Sequence, residues 1–461
     1  MPAPNIFAFL MIGLWPLITV MFWTRLDPAR ALVWTILAGY LLLPPLTAFN
    51  LPLVPDFDKD SVPALSALFC ALVIRGDRVS FDPGTGLGRL LIGLFVLSPF
   101  VTVLTNGDPV PIRSGDLQGM RLYDSFAAIA DQLIVLVPMF LARRYLGSPE
   151  ALRALVGLMV LAGLLYSLPM LLEVRLSPQL NVWIYGFFQH DFAQAMRDGG
   201  FRPFVFLPHG LWVAFFALMS FVAALVTFRA APRGRGGALL IAAYLGLVLI
   251  LCKSAGVMVY AAGLAPMVLL FGLRMQLVVA AVLALVVVLY PLLRGLHLVP
   301  LEAIVSYARS FSPERAASLA FRITNEEALL TRAAERPWFG WGGYGRGLIR
   351  DPLSGAIWTI ADGAWIIVLG IYGWLGYLAK FGLIALPLLR LGGAALRGTA
   401  QPLSRYGAAL ALILAANMVD MLPNATEIPF TWLMVGALMG HAEALRQPKA
   451  AAGAPKPRTI I

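Results

Sequence analysis

The chain predicts an all-α, polytopic helical membrane protein with about thirteen transmembrane helices and a large helix-containing loop late in the sequence. Three observations carry that expectation. First, 60 % of the 461 residues are hydrophobic, 13 % are charged, and the mean hydropathy is strongly positive. That is more apolar surface than a water-soluble core needs, so the solvent for most of the chain is a bilayer. Second, apolar runs recur along nearly the whole length without the alternation of barrel strands, and only helices or closed barrels satisfy backbone groups in hydrocarbon. Third, the loops between these runs alternate between basic and acidic, as topology requires.

In order, the first run (5–24) has no basic leader and no small-residue cleavage site, so it is expected to stay as a span. Runs 29–49, 62–74, 90–104, 125–141 and 152–172 follow, the second of this group being short for a bilayer. After a polar loop at 173–207, runs 210–228, 238–251, 255–273 and 276–293 continue the pattern. The longest polar interval, 294–362, precedes the last three runs, 364–389, 406–419 and 429–442. Residues 1–446 thus read as one transmembrane domain, and 447–461, rich in Ala, Pro and Lys, as a disordered cytoplasmic tail.

Cytoplasmic loops retain positive charge. Arg25 and Arg30, Arg75, Arg78 and Arg89, Arg143, Arg144 and Arg153, Arg229, Arg233 and Arg235, Arg274, and Arg390, Arg397 and Arg405 mark one side. Asp56, Asp58 and Asp60, Asp108 and Asp116, Glu173, Asp191 and Asp198, and Asp420 and Glu427 mark the other. The N-terminus is therefore expected outside and the C-terminus inside, with 173–207 and 294–362 as outward loops. The two cysteines, Cys70 and Cys252, lie in apolar runs without metal-ligand or CxxC spacing. Nor do the histidines have partners at metal-ligand spacing, so no metal is expected. No nucleotide-binding GxxxxGK[ST] motif and no internal repeat of the kind used by secondary transporters is present.

The net charge of +11 includes many outward cations: Arg175, Arg197, Arg202, Lys253, Arg309, Arg315, Arg322, Arg332, Arg336, Arg346 and Arg350. Outward arginines run against the orientation bias, and Arg is suited to bidentate grip on phosphate oxygens. Ser312-Pro313-Glu314 is a helix start, with a capping hydroxyl, Pro at the first position and an acid at the positive dipole end. The helix should run to Ala334, with Arg315 and Arg322 on one face and Glu326 a turn beyond. Its charges serve either an anionic ligand or lipid headgroups and one another.

Pro337-Trp338-Phe339-Gly340-Trp341-Gly342-Gly343-Tyr344-Gly345-Arg346 then stops that helix. Its glycines permit backbone geometry closed to other residues. Trp338, Trp341 and Tyr344 suit either sugar stacking or a membrane interface. Asp362 before an apolar run fits an N-cap or a general base. Lys253-Ser254, between two spans, fits a phosphate contact or a snorkelling lysine. His209 lies at an outward span start and His190 in the loop before it, so both suit either an external site or the membrane interface.

This order of residues resembles the bacterial O-antigen polymerase and O-antigen ligase superfamily of integral membrane glycosyltransferases. The resemblance rests on Arg322, then Pro337-Trp338-Phe339-Gly340-Trp341-Gly342, then Asp362-Gly363 opening a span with Gly370-Ile371-Tyr372-Gly373-Trp374-Leu375-Gly376. Gly200-Phe201-Arg202 and Lys253-Ser254-Ala255-Gly256 resemble two further family positions. It is best over residues 201–389. Two departures stand out: no histidine lies between His297 and His441, where ligases carry one near the position of Asp362, and Glu326 and Glu327 stand where the family has an aromatic.

The resemblance implies glycan transfer from an undecaprenyl diphosphate carrier to an acceptor sugar hydroxyl, at the periplasmic face of the bacterial inner membrane. It implies no cofactor and no nucleotide sugar. The expected partners are the undecaprenyl diphosphate-linked glycan, the lipid bilayer, and polysaccharide export or chain-length regulator proteins, with no nucleic acid. Arg202, Arg322 and Lys253 would hold the diphosphate, and Asp362 or His209 would handle the acceptor proton. Ser254, Arg315, Arg336, Trp338, Gly340, Trp341, Gly342, Tyr344 and Arg346 would contact substrate. A polymerase joining repeat units is the first expectation and a ligase the second. A flippase of lipid-linked sugars ranks below both, since transporters place ionisable groups at mid-membrane and only Asp131 and Lys380 lie deep within runs here.

Overall fold

The apolar runs fold as helices, and several of their starts are written into the sequence. Asn5, Asp27, Ser148 and Ser404 each accept a bond from a first-turn amide, and Pro28 and Pro149 occupy first-turn positions where no amide donor is needed. In this computed structural model the described residues are 3–51, 54–111, 116–197, 199–231, 234–351, 354–399 and 401–446, without the side chains of residues 311 and 315. The tail 447–461 lies outside the described residues, as do Asp198 and Arg233.

The helices are α1 (Ile6–Arg25), α2 (Pro28–Leu42), α3 (Ser61–Phe69), α4 (Gly86–Leu104), α5 (Leu122–Tyr145), α6 (Pro149–Leu176), α7 (Leu180–Tyr185) and α8 (Gly210–Ala230). They continue as α9 (Arg235–Leu251), α10 (Ala255–Leu270), α11 (Leu273–Gly295), α12 (Leu301–Phe311), α13 (Pro313–Ala334), α14 (Ala364–Arg397), α15 (Arg405–Asp420) and α16 (Pro429–Ala444). Strands β1 (Met196–Arg197) and β2 (Gly200–Phe201) form a small antiparallel hairpin between α7 and α8. The chain is thus a helical bundle, and seven described helices, α1, α4, α5, α6, α8, α11 and α14, are long and apolar enough to cross a membrane. Shorter apolar helices, among them α2, α9 and α10, pack with them. The short run expected at 62–74 is α3 followed by a π-helical turn, Cys70–Ile74.

The bundle is held by close backbone approach as well as by side-chain packing. α16 lies on α5 through Gly436 and Gly440: a Cβ at Gly440 would stand 2.5 Å from the Arg143 carbonyl oxygen, and one at Gly436 would collide with that of Met139. Small residues four apart allow this contact between apolar helices. α11 packs on α14 and α15, α8 on α6 and α9, and α14 on α4.

α13 occupies the span the capping signals predict. Leu329, Ala333 and Glu326 face inward on it, at 5 %, 4 % and 8 % exposure. α12 packs on α13 and leaves Ile304 and Tyr307 exposed.

Candidate functional site

The loop that carries Arg202 is fixed from behind by a buried carboxylate. Glu173, near the end of α6, accepts from the amides of Leu180, Phe204 and Val205 at 3.0, 2.8 and 2.7 Å. Gln189 donates to the carbonyls of Val205 and Leu207, both at 3.0 Å. These bonds leave Arg202 3 % exposed, with one terminal nitrogen 2.9 Å from His209 Nδ1. The Leu211 amide donates to the same Nδ1 at 3.1 Å, which places the ring proton on Nε2. Burial first, and Arg202 next, push the His209 imidazole down to about 3. It is therefore a neutral N–H donor at physiological pH, not a proton acceptor. Its other role is to cap α8.

Lys253, between α9 and α10, adopts φ 50° and sends its ammonium to the Arg197 carbonyl at 3.0 Å. A Cβ at Gly200 would lie 2.5 Å from that ammonium, so the hairpin needs glycine there for Lys253 to reach it. Ser254 is the N-cap residue of α10 and is buried. Burial, followed by the positive charges of Arg197 and Arg322, lowers the Arg202 guanidinium to about 10. Arg202 Nε, buried, has no hydrogen-bond partner among the described residues.

Arg322 faces this group from α13. Its Nη1 donates to the Pro423 carbonyl at 3.1 Å and to Asn424 Oδ1 at 3.2 Å, and its Nε lies 3.3 Å from Asp362 Oδ2. Asn424 is held in turn by Asp420, which also accepts from Thr426 at 2.6 Å. The side chains of Arg322 and Asp362 keep 33 % and 36 % exposure, so the pair borders open space. Sequence reasoning singled out both residues, and the structure joins them; it did not pick out Asp420 and Asn424 as the groups that aim the arginine.

Glu326, noted in the sequence as a departure at an aromatic position, lies one turn beyond Arg322. One carboxylate oxygen is 3.4 Å from Trp365 Nε1 and the other 4.0 Å from Arg294 at the end of α11. Burial pushes its carboxyl up to about 7 against the pull of Trp365, Arg294 and Arg322. Arg294, 5 % exposed, has two buried nitrogens with no hydrogen-bond partner among the described residues.

The glycine-rich stretch 337–346 has a different place. α14 breaks at Gly373, with φ 64° and ψ −166°, and the loop docks into the break. Trp341 and Gly342 amides donate to the carbonyls of Gly370 and Ile371 at 2.8 and 2.9 Å. Trp374 and Leu375 amides donate to those of Pro337 and Trp338 at 2.7 and 3.3 Å. The loop thus supplies the backbone partners the interrupted helix lacks. Gly340 (φ 69°) meets Ile371 backbone so closely that a Cβ would sit 2.5 Å from it. Thr102 and Asn106 of the α4 end bind the Phe339 and Gly340 carbonyls at 2.7 and 3.0 Å.

The arginines around this loop are engaged within the protein. Arg346, 1 % exposed, donates to the carbonyls of Trp341, Gln118 and Asp108. Arg336 bonds the Thr105 carbonyl, Asn106 and Asp108. Trp341 is buried beneath the guanidiniums of Arg332 and Arg336, 3.5 and 4.5 Å from its ring centre. Gly342 packs on Met120. Trp338 and Tyr344 are exposed, with the Tyr344 hydroxyl 2.9 Å from Asp124. Arg315 lies on α13, its side chain outside what the structure describes. A cavity of about 550 Å³ opens beside Arg332, Glu335, Arg346 and Arg350. Its cations already hold carbonyls, Glu335 or Trp341. Arg350 Nε there and Arg202 Nε are both buried without a hydrogen-bond partner among the described residues, and Arg202 differs in having no ion-paired carboxylate among those residues while it faces Arg197 and Arg322.

No protein-family model matches the chain, and no curated protein matches it.

Proposed function

We propose that this chain is a glycosyltransferase that joins undecaprenyl diphosphate-linked repeat units into a polysaccharide. In this reading it spans the bacterial inner membrane about thirteen times, with the Arg202 and Arg322 cluster on the periplasmic side. The single observation that carries the proposal is electrostatic. Arg202 and Arg322 stand within each other's field, Arg197 adds a third positive charge, and a buried Arg202 nitrogen has no partner among the described residues. Like charges held together, with no described carboxylate paired to Arg202, favour an anion nearby, and a diphosphate headgroup at a lipid surface has the charge and oxygens to fit.

In the reaction, the acceptor hydroxyl oxygen bonds to the anomeric carbon of the donor sugar while the bond from that carbon to the diphosphate oxygen breaks. The electron pair leaves with the lipid diphosphate. Arg202 and Arg322 then stabilise charge that grows as the bond breaks, which lowers the barrier more than it tightens ground-state binding. His209 orients Arg202 and offers its Nε2–H as a further donor. The Lys253 contact to the hairpin holds Arg197 and Arg202 in register.

Purified protein supplied with an undecaprenyl diphosphate-linked oligosaccharide should yield a ladder of product sizes. A single transfer product would instead indicate a ligase. Arg322→Ala should lower the rate by about 10²–10³ while membrane levels stay unchanged. Wild-type polymer lengths in that variant would refute the role.

A further inference from the structure

We infer that Glu326 is the general base of the site, accepting the acceptor hydroxyl's proton as that oxygen attacks the donor sugar. The inference rests on the glycosyl-transfer reading. The obvious candidates are committed elsewhere. Asp362 is ion-paired to Arg322 at 3.3 Å, and His209 Nδ1 already accepts two bonds, whereas the contacts of Glu326 are looser, 3.4 Å to Trp365 and 4.0 Å to Arg294.

Glu326 is a turn from Arg322 on the same face of α13 and is 8 % exposed. The Trp365 indole holds one of its oxygens, which fixes the carboxylate between α13, the end of α11 and the start of α14. The charged and titratable groups facing it are Arg294 and Tyr290 from α11, Asp362 ahead of α14, and Arg322 on its own helix. Arg294 also reaches Glu327 at 3.8 Å, so its charge is shared between two carboxylates.

The step balances without a co-reactant. The O–H bond of the acceptor breaks to Glu326, the new C–O bond forms, and the lipid diphosphate leaves with the electron pair of the old one. The proton passes from Glu326 to solvent or to the departing diphosphate. A carboxyl near 7 accepts a proton more readily than one near 4.5, and it remains ionised above neutrality.

The test measures the rate of extension of an undecaprenyl diphosphate-linked oligosaccharide between about pH 5 and about pH 9, with binding of the same donor measured alongside. The wild-type rate should rise through about 7. Glu326→Gln should bind donor normally, lose roughly 10²–10⁴ in rate, and lose the rising limb. Should Glu326→Gln fail to fold, Glu326→Asp takes its place: a slower rate with a displaced limb supports the base. An unchanged rate and limb in whichever variant folds overturns the assignment and leaves the glycosyl-transfer reading intact. A wild type that extends nothing overturns both.

Discussion

A carboxyl that titrates near neutrality leaves a mark on stability as well as on rate. The folded protein holds the Glu326 proton to about 7, whereas an ordinary glutamate gives it up at 4.5. Folding is therefore favoured most below the lower value, and the contribution is lost as pH rises through the higher one. Glu326→Gln, a neutral isostere that can still accept from Trp365, should unfold later than wild type at about pH 8, by roughly 2 kcal/mol. The advantage should vanish below about pH 4; thermal unfolding in detergent across that range measures it, and an advantage that persists in acid would contradict the burial argument. Arg322 and Asp362 were legible in sequence because a charged face on a capped helix and an acid before an apolar run are local patterns. Glu326 was visible as an acid one turn from Arg322, but its chemistry was not. Burial beneath Trp365 and beside Arg294 depends on α11 and α14 meeting α13, and no spacing within α13 encodes that.

At the scale of elements, the glycines around residue 340 give the clearest contrast between sequence and structure. Their pattern marked a special turn correctly, yet the aromatic and basic residues interleaved with them suggested ligand contacts. The structure uses Gly340, Trp341, Gly342, Arg336 and Arg346 to build and clamp the plug in the α14 break. The partner strip, Gly370 to Gly373, is about thirty residues on, so the pairing is invisible to local reading. Gly340→Ala should destabilise the protein by about 1–3 kcal/mol through its positive φ alone, and by more through collision with Ile371. Gly343→Ala, with open space at its Cβ, is the matched control and should be nearly neutral. Equal melting temperatures for the two variants would show that the plug is not under this constraint. Helix starts were readable in part: Ser312-Pro313 marked the start of α13, and Asp27-Pro28 and Ser148-Pro149 open α2 and α6 just ahead of the apolar runs at 29 and 152, whereas α7 and α12 have no side-chain cap and were not expected.

For the whole molecule, apolar composition announced the class, and helices long enough to cross a membrane follow from it. Orientation rests on the distribution of Lys and Arg and has a direct check. Both native thiols are buried, so Tyr344→Cys and Arg235→Cys can be labelled in intact cells with little background. On the proposed orientation an impermeant maleimide should reach the first and not the second until the membrane is opened; the reverse pattern would overturn that orientation and the proposed periplasmic placement of the site. The arrangement of the polar segment has a further consequence for biogenesis. Residues 337–342 leave the ribosome before the strip that receives them, so the Trp341 and Gly342 amides and the Pro337 and Trp338 carbonyls wait for α14. The upper part of α14 likewise has loose carbonyls until the two meet. Neither piece is complete first, and each is satisfied only by their mutual capture, which couples the folding of two segments about thirty residues apart.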